Sequence, residues 1–315
     1  MISIIINIFP YAIAFTIPLL ITALGGLFSE RSGVVNIGLE GLMVVGSFAA
    51  AAVTVALAPS LGPGAVWVGL LAAVAAGALF SLLHAFASIN LNADQVISGT
   101  AINMIAGALT VFIARTFTGS GNIQLEMGVP RVDIPGLDAI PFLGPLFFHK
   151  TYATTWIVLA LLGLLSFVLY KTPFGLRLRA CGEHPQAADS AGIRVRRIRY
   201  AAVAISGALA GLGGAIILVT YSGQFNGSVA GLGFLALAAL IFGQWKPWGI
   251  LGACFFFGFA ATLANASQAE PALHVIPDVV LKVFPYVMTL LALVLLSKRS
   301  QAPRASGQPF EPGKR

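Results

Sequence analysis

Charge is scarce in this sequence. Asp, Glu, Lys and Arg make up 9% of its 315 residues, against about 25% in an ordinary globular chain. Apolar residues make up 58%. So few charges cannot cover the surface of a soluble fold of this length, which excludes a cytosolic enzyme, a secreted disulfide scaffold and a disordered linker. Before Arg115 the charged side chains are Glu30, Arg31, Glu40 and Asp94 alone. Cysteine is scarcer still: Cys181 and Cys254 stand far apart, which excludes a disulfide framework and a metal knuckle. His84, His149, His184 and His274 are scattered, and none forms a His-x-x-x-His pair. No nucleophile sits in an elbow or triad context. No Gly-x-x-x-x-Gly-Lys-Ser/Thr run is present, so the chain has no P-loop for ATP. Neither catalytic nor metal-binding residues are expected, and no cofactor is implied.

Long apolar runs are what it does have. The candidates are Ile2 to Phe28, Leu42 to Ala58, Ala65 to Ile89, Val96 to Ala114 and Tyr152 to Tyr170. Tyr200 to Thr220, Gly231 to Gly243, Trp248 to Ala266 and Val279 to Ser297 follow. A helix crosses the hydrocarbon core with about 20 residues, so Gly231 to Gly243 is too short to cross alone. Backbone groups in lipid must be satisfied internally, which makes these runs helices. The expected fold is an all-α, polytopic membrane bundle of about 8–10 transmembrane helices, some of them interrupted. No basic stretch precedes the first run, which is expected to remain as a span.

The net charge of +7 is concentrated in two places. Lys171 to Arg199 holds seven Lys/Arg, and Lys298 to Arg315 holds five. Short basic loops stay in the cytoplasm. Residues 1–297 therefore read as a membrane domain whose 171–199 loop is cytoplasmic, followed by a basic cytoplasmic tail, 298–315. The 115–151 stretch, with Pro130, Pro135, Pro141 and Pro145, reads as an external loop. Nine crossings put the N-terminus outside, and a re-entrant segment would reverse it. No nucleic-acid partner is expected.

Polar residues interrupt the apolar pattern twice, at Glu30 to Gly41 and at Ile241 to Gly249. These are either tight helix turns or the broken segments of a pathway built from repeats. Glu40, one turn after Asn36, is either held in a structural bond, with Arg31 as a candidate partner, or is a pathway carboxylate. Asp94 reads as a helix cap. Gly207, Gly211 and Gly214 read as a packing seam. In the basic loop, Glu183-His184-Pro185 opens a short helix, Gln186 to Ala191 continues it, and Gly192 stops it. Arg194, Arg196, Arg197 and Arg199 lead back to the membrane. Such a helix either fits a groove on a partner or lies on anionic headgroups.

Gln186-Ala187-Ala188, three residues and Gly192 resemble the Glu-Ala-Ala-x-x-x-Gly loop of ABC importer permeases, with Gln186 in place of glutamate. Gly175 to Glu183 resembles the branch serving branched-chain amino acids, ribose and nucleosides. Gly26 to Met43 and Phe234 to Gly258 are similar to the shorter permease of nucleoside importers. The resemblance runs from Ile17 to Leu296 and implies a subunit in the bacterial cytoplasmic (inner) membrane. It implies ABC ATPase subunits, a second and longer permease in a heterodimer, and a substrate-binding lipoprotein or periplasmic receptor. Glu183, Pro185, Gln186, Ala187, Ala188, Asp189 and Gly192 would then contact the ATPase, and Ala188→Arg is expected to weaken that contact. Candidates for a nucleoside pathway are Asn36, Glu40, Asn103, Phe225, Asn226 and Trp245. Riboflavin and simple sugars are the alternative cargoes. An ion-coupled secondary transporter gated by Glu40 is the competing class.

Overall fold

The computed structural model describes residues 2–138, 140, 141, 143–269, 279, 280, 283, 287 and 301–311. Its main elements are α1 (Ile2–Arg31), α2 (Leu39–Leu61), α3 (Gly64–Ala85), α4 (Gln95–Thr118) and α5 (Ala153–Lys171). They continue with α6 (Pro173–Glu183), α7 (Pro185–Ser190), α8 (Val195–Ile217), α9 (Leu232–Phe242) and α10 (Pro247–Ala269). Among the described residues, seven helices are long and apolar enough to cross a membrane. The chain is a multi-pass membrane protein. The expected span Val279 to Ser297 lies outside the described residues except at Val279, Val280, Val283 and Val287. Most of the turn expected from Ser267 to Asp278, and Lys298, Arg299, Lys314 and Arg315 of the tail, also lie outside them.

Helices α1 and α8 form the centre, and α4 and α5 are the most exposed. The reason is written in the α8 glycines. A Cβ on Gly207 would lie 2.3 Å from the Gly77 carbonyl oxygen, and one on Gly211 would lie 2.4 Å from that of Ala73. Backbones this close leave no room for a side chain, so dispersion between main chains replaces side-chain packing. The seam expected from small residues is real, and it joins α8 to α3 and α2.

The α9 helix has 11 residues, roughly 16 Å at 1.5 Å per residue, about half the hydrocarbon thickness. It is a half-helix, too short to cross alone, and covers only part of the passage between Gln224–Phe225, which pair with the 115–151 stretch, and Trp245 at the opposite end. The 115–151 stretch carries little regular structure, as expected. Its strands are β1 (Ile123–Gln124), paired with β4 (Gln224–Phe225), and β2 (Arg131–Val132), paired with β3 (Thr151–Tyr152). Arg131 lies 4.2 Å from the Tyr11 ring centroid and 5.0 Å from that of Tyr152. This fastens the loop to α1.

The opposite end of the bundle is the basic one. Arg31, the α6–α7 elbow, Trp245 and residues 301–311 meet there, held by hydrogen bonds between them.

Candidate functional site

Between α1 and α2 the helix stops, and residues 32–38 run through the bundle without regular structure. Unpaired backbone groups in a membrane interior cost several kcal/mol each, so each must find a partner. The Ser29 hydroxyl donates to the Val34 carbonyl at 2.7 Å. The Val35 amide donates to the Gln95 side chain at 2.7 Å. His84 bonds the Val35 carbonyl through Nε2 and the Ser98 hydroxyl through Nδ1, both at 3.0 Å. Because a carbonyl only accepts, Nε2 must carry the proton in that bond. Asn36, fully buried, donates to Ser206 on α8 at 2.9 Å and accepts from Gly38 N–H at 3.1 Å. Asn103 on α4 donates to the Ile37 carbonyl at 3.0 Å and accepts from Gly41 N–H at 2.7 Å. The break is thus clasped from three helices, which gives it a defined shape.

Glu40 follows directly. Its carboxylate accepts from Gly231 N–H at 2.8 Å and from Gly233 N–H at 2.7 Å. Those are orphan donors at the start of α9, where a negative charge is favoured. Arg31 is not its partner, contrary to the sequence expectation. Arg31 Nη2 donates to the Trp245 carbonyl at 2.8 Å, and Nη1 lies 3.9 Å from Glu183. Trp245 in turn donates its indole N–H to Glu30 at 2.5 Å. The two polar interruptions read from the sequence therefore meet, at the basic end.

Above the α9 N-terminus lies a cavity of about 560 Å³, within the range of small-molecule sites. Phe15, Thr220, Tyr221, Asn226, Ser228 and Asn265 supply its aromatic and polar lining. Thr220, Tyr221 and Ser222 sit on a π-helical turn, Leu218–Ser222, that continues the end of α8. Tyr221 meets Phe15 edge-on, with ring centroids 6.3 Å apart. Pro18 also lines the cavity and cannot donate to the Ala14 carbonyl. No charged side chain among the described residues lines it.

The pathway candidates separate accordingly. Asn226 lines the cavity. Asn36 and Asn103 clasp the break, and Glu40 caps α9 behind the cavity wall. Phe225 is a core residue against Phe48, with centroids 5.5 Å apart. Trp245 is buried at the basic end. Tyr221, Thr220 and Asn265 were missed, because nothing local distinguishes them from a helix end.

The short helix α7 begins at Pro185, as expected, and Gly192 follows it at φ +81°. Glu183 is not in its first turn. That residue closes α6, and His184 occupies the N-cap position between them. Gln186, Ala187 and Asp189 are exposed, whereas Pro185 and Ala188 are buried. Ala188 packs with Cys181, Val195 and Phe310, so its side chain holds the elbow together and does not face outward. Arg199, grouped with the surface basics by sequence, is buried too. It donates to the carbonyls of Ser32 and Gln308, each at 3.1 Å.

Against known proteins, residues 8–293 match the family of the branched-chain amino acid transport system permease component. The guanosine ABC transporter permease protein NupQ of Bacillus subtilis is 48% identical over 98% of this chain and 97% of its own length. The nucleoside ABC transporter permease protein NupC of Lactococcus lactis subsp. cremoris is 42% identical, covering 93% of each. A putative glucose ABC transporter permease protein, TsgC13 of Haloferax volcanii, is 36% identical over 80% of this chain and 74% of its own length. With a broken-helix bundle, a half-helix and a membrane-edge elbow in one polypeptide, this chain belongs to the permease component family of the branched-chain amino acid transport system.

Proposed function

We propose that the chain is the permease subunit of an ATP-driven importer that moves nucleosides through the cavity above α9. The observation that carries the cargo class is the lining of that cavity, aromatic and hydrogen-bonding but uncharged. A nucleoside is neutral at physiological pH and offers a flat ring with hydroxyls and ring nitrogens. An aromatic pair, amides and hydroxyls suit it, and a phosphorylated or acidic solute would find no counter-charge. NupQ and NupC are named for guanosine and nucleosides, which supports the same class.

The 171–199 loop and the 298–315 tail face the cytoplasm, and 115–151 faces outward, within a membrane domain of residues 1–297. The exposed face of α7, Gln186, Ala187 and Asp189, meets an ATPase subunit, which performs the hydrolysis. A second, longer permease completes the pathway, and a receptor delivers cargo at the outer loops. The ion-driven alternative needs a carboxylate in the pathway. Glu40 is instead bound to two backbone amides behind the wall.

Competition measures the cargo. Uptake of labelled guanosine by cells expressing the complete transporter should be suppressed by unlabelled nucleosides and unaffected by glucose or nucleoside monophosphates. Absence of transporter-dependent guanosine uptake, or its suppression by glucose, would refute the assignment.

A further inference from the structure

Residues 301–311 fold back onto the basic end of the bundle, with bonds to the turn at Gln244, to α6, to the break and to α8. Gln301 N–H donates to the Gln244 side chain at 3.2 Å, beside Trp245. Ala305 N–H donates to the Gly182 carbonyl of α6 at 2.9 Å, and Gly307 N–H donates to the Gly33 carbonyl of the break at 3.2 Å. The Gln308 carbonyl accepts from Arg199 of α8. Phe310, 4% exposed, closes the elbow by packing with Cys181, Ala188 and Val195.

Some of these parts also touch directly, α6 on α1 through backbone and the break on the Arg199 side chain. A Cβ on Gly182 would lie 2.2 Å from the Arg31 carbonyl oxygen, and one on Gly33 would lie 2.7 Å from Arg199 Nη2. The end of α6 therefore rests directly on the end of α1 and the start of the break. Arg199 lies in the crevice beneath, its Nη2 without a hydrogen-bond partner among the described residues. A buried cation bonded to carbonyls is stable only while those carbonyls stay in place, and residues 301–311 supply one of its two.

We propose that residues 301–311 form a strap that ties α7 to the break between α1 and α2, with Phe310 and Arg199 as positioning residues that carry α7 motion toward the cavity. The inference rests on the reading of α7 as the ATPase contact. Pushing α7 moves Ala188, and with it Phe310. The strap then pulls on Gly33 and Arg199, and the break they border leads through Asn36 and Asn103 to Glu40 and the α9 N-terminus. Without the strap, α7 still binds its partner, but its displacement is lost at the elbow.

The test compares Phe310→Ala and Phe310→Leu in the complete transporter, in a Cys254→Ala background. Four quantities are read: ATPase co-purification, ATP hydrolysis, nucleoside moved per ATP, and maleimide labelling of Cys181. Phe310→Ala should keep the ATPase bound and hydrolysing, expose Cys181, and lower nucleoside moved per ATP by about tenfold. Phe310→Leu should keep that ratio near wild type. An unchanged ratio in Phe310→Ala overturns the proposal, whether or not Cys181 reacts, and so does loss of the ATPase from that variant. Ala187→Arg tests the underlying reading separately: retention of the ATPase there would refute the role of α7 without touching residue 310.

Discussion

Gly46 shows how little room single residues have at the centre of this bundle. A Cβ there would lie 2.1 Å from the Gly211 carbonyl oxygen, backbone that cannot turn aside. Gly46→Ala is therefore expected to destabilise the protein by about 1–3 kcal/mol, read as a lowered melting temperature in detergent. Gly163 on α5 has open space at the same position, and Gly163→Ala should be neutral or stabilise by about 0.5–1 kcal/mol. Glu40→Gln keeps the shape but leaves one acceptor oxygen where two N–H groups of α9 are bound, so about 1.5–3 kcal/mol should be lost. Under the proposed mechanism, ATP dependence of uptake survives in that variant. A switch of driving force would show that the carboxylate gates transport. At Cys181 burial pushes the thiol up to about 11 from 9.0. The native state thus holds that proton where the unfolded chain has lost it, so stability should fall as pH rises between about 9 and 11. Below pH 9 the thiol stays protonated in both states and contributes no pH dependence, and maleimide should label it slowly at pH 7.5 until the chain is denatured.

Among the elements, α7 was legible and the break was only half so. Pro185 at its first position and Gly192 after its end are local signals, and six residues between them suffice. Which face is outward was not legible. Ala188 and Ala187 are the same letter, and Ala188 is buried among Cys181, Val195 and Phe310, the last more than a hundred residues away. Ala187→Arg, on the exposed face, is accordingly expected to release the ATPase while the chain still inserts and folds. Ala188→Arg should instead disrupt the elbow and reduce the amount of folded protein. Glu40 was singled out as a costly buried charge, yet its partners Gly231 and Gly233 lie 191 and 193 residues on. No local pattern announces a carboxylate that caps another helix. Arg199 was misread for the converse reason: it sits in a run of surface arginines, and burial comes from Ser32 and Gln308. Asp94 was read correctly because its partners, Val96 and Ile97 N–H at 2.8 and 2.9 Å, are its own neighbours.

At the scale of the whole molecule, an uncharged cavity lies toward one end and a basic elbow at the other, with the clasped break between them. Glu40 and α9 link the break to the cavity, and α6 with residues 301–311 links it to α7. Such an arrangement passes mechanical displacement between distant sites through packed, hydrogen-bonded parts. Under the proposed function the engine is a separate ATPase that meets the basic end. The decisive measurement is uptake of labelled guanosine into vesicles reconstituted with this chain, a second permease, the ATPase and the receptor. ATP supplied on the side that exposes α7 should drive saturable uptake, and a pH or sodium gradient without ATP should drive none. Uptake powered by either gradient alone, with ATP making no difference, would contradict the proposed mechanism.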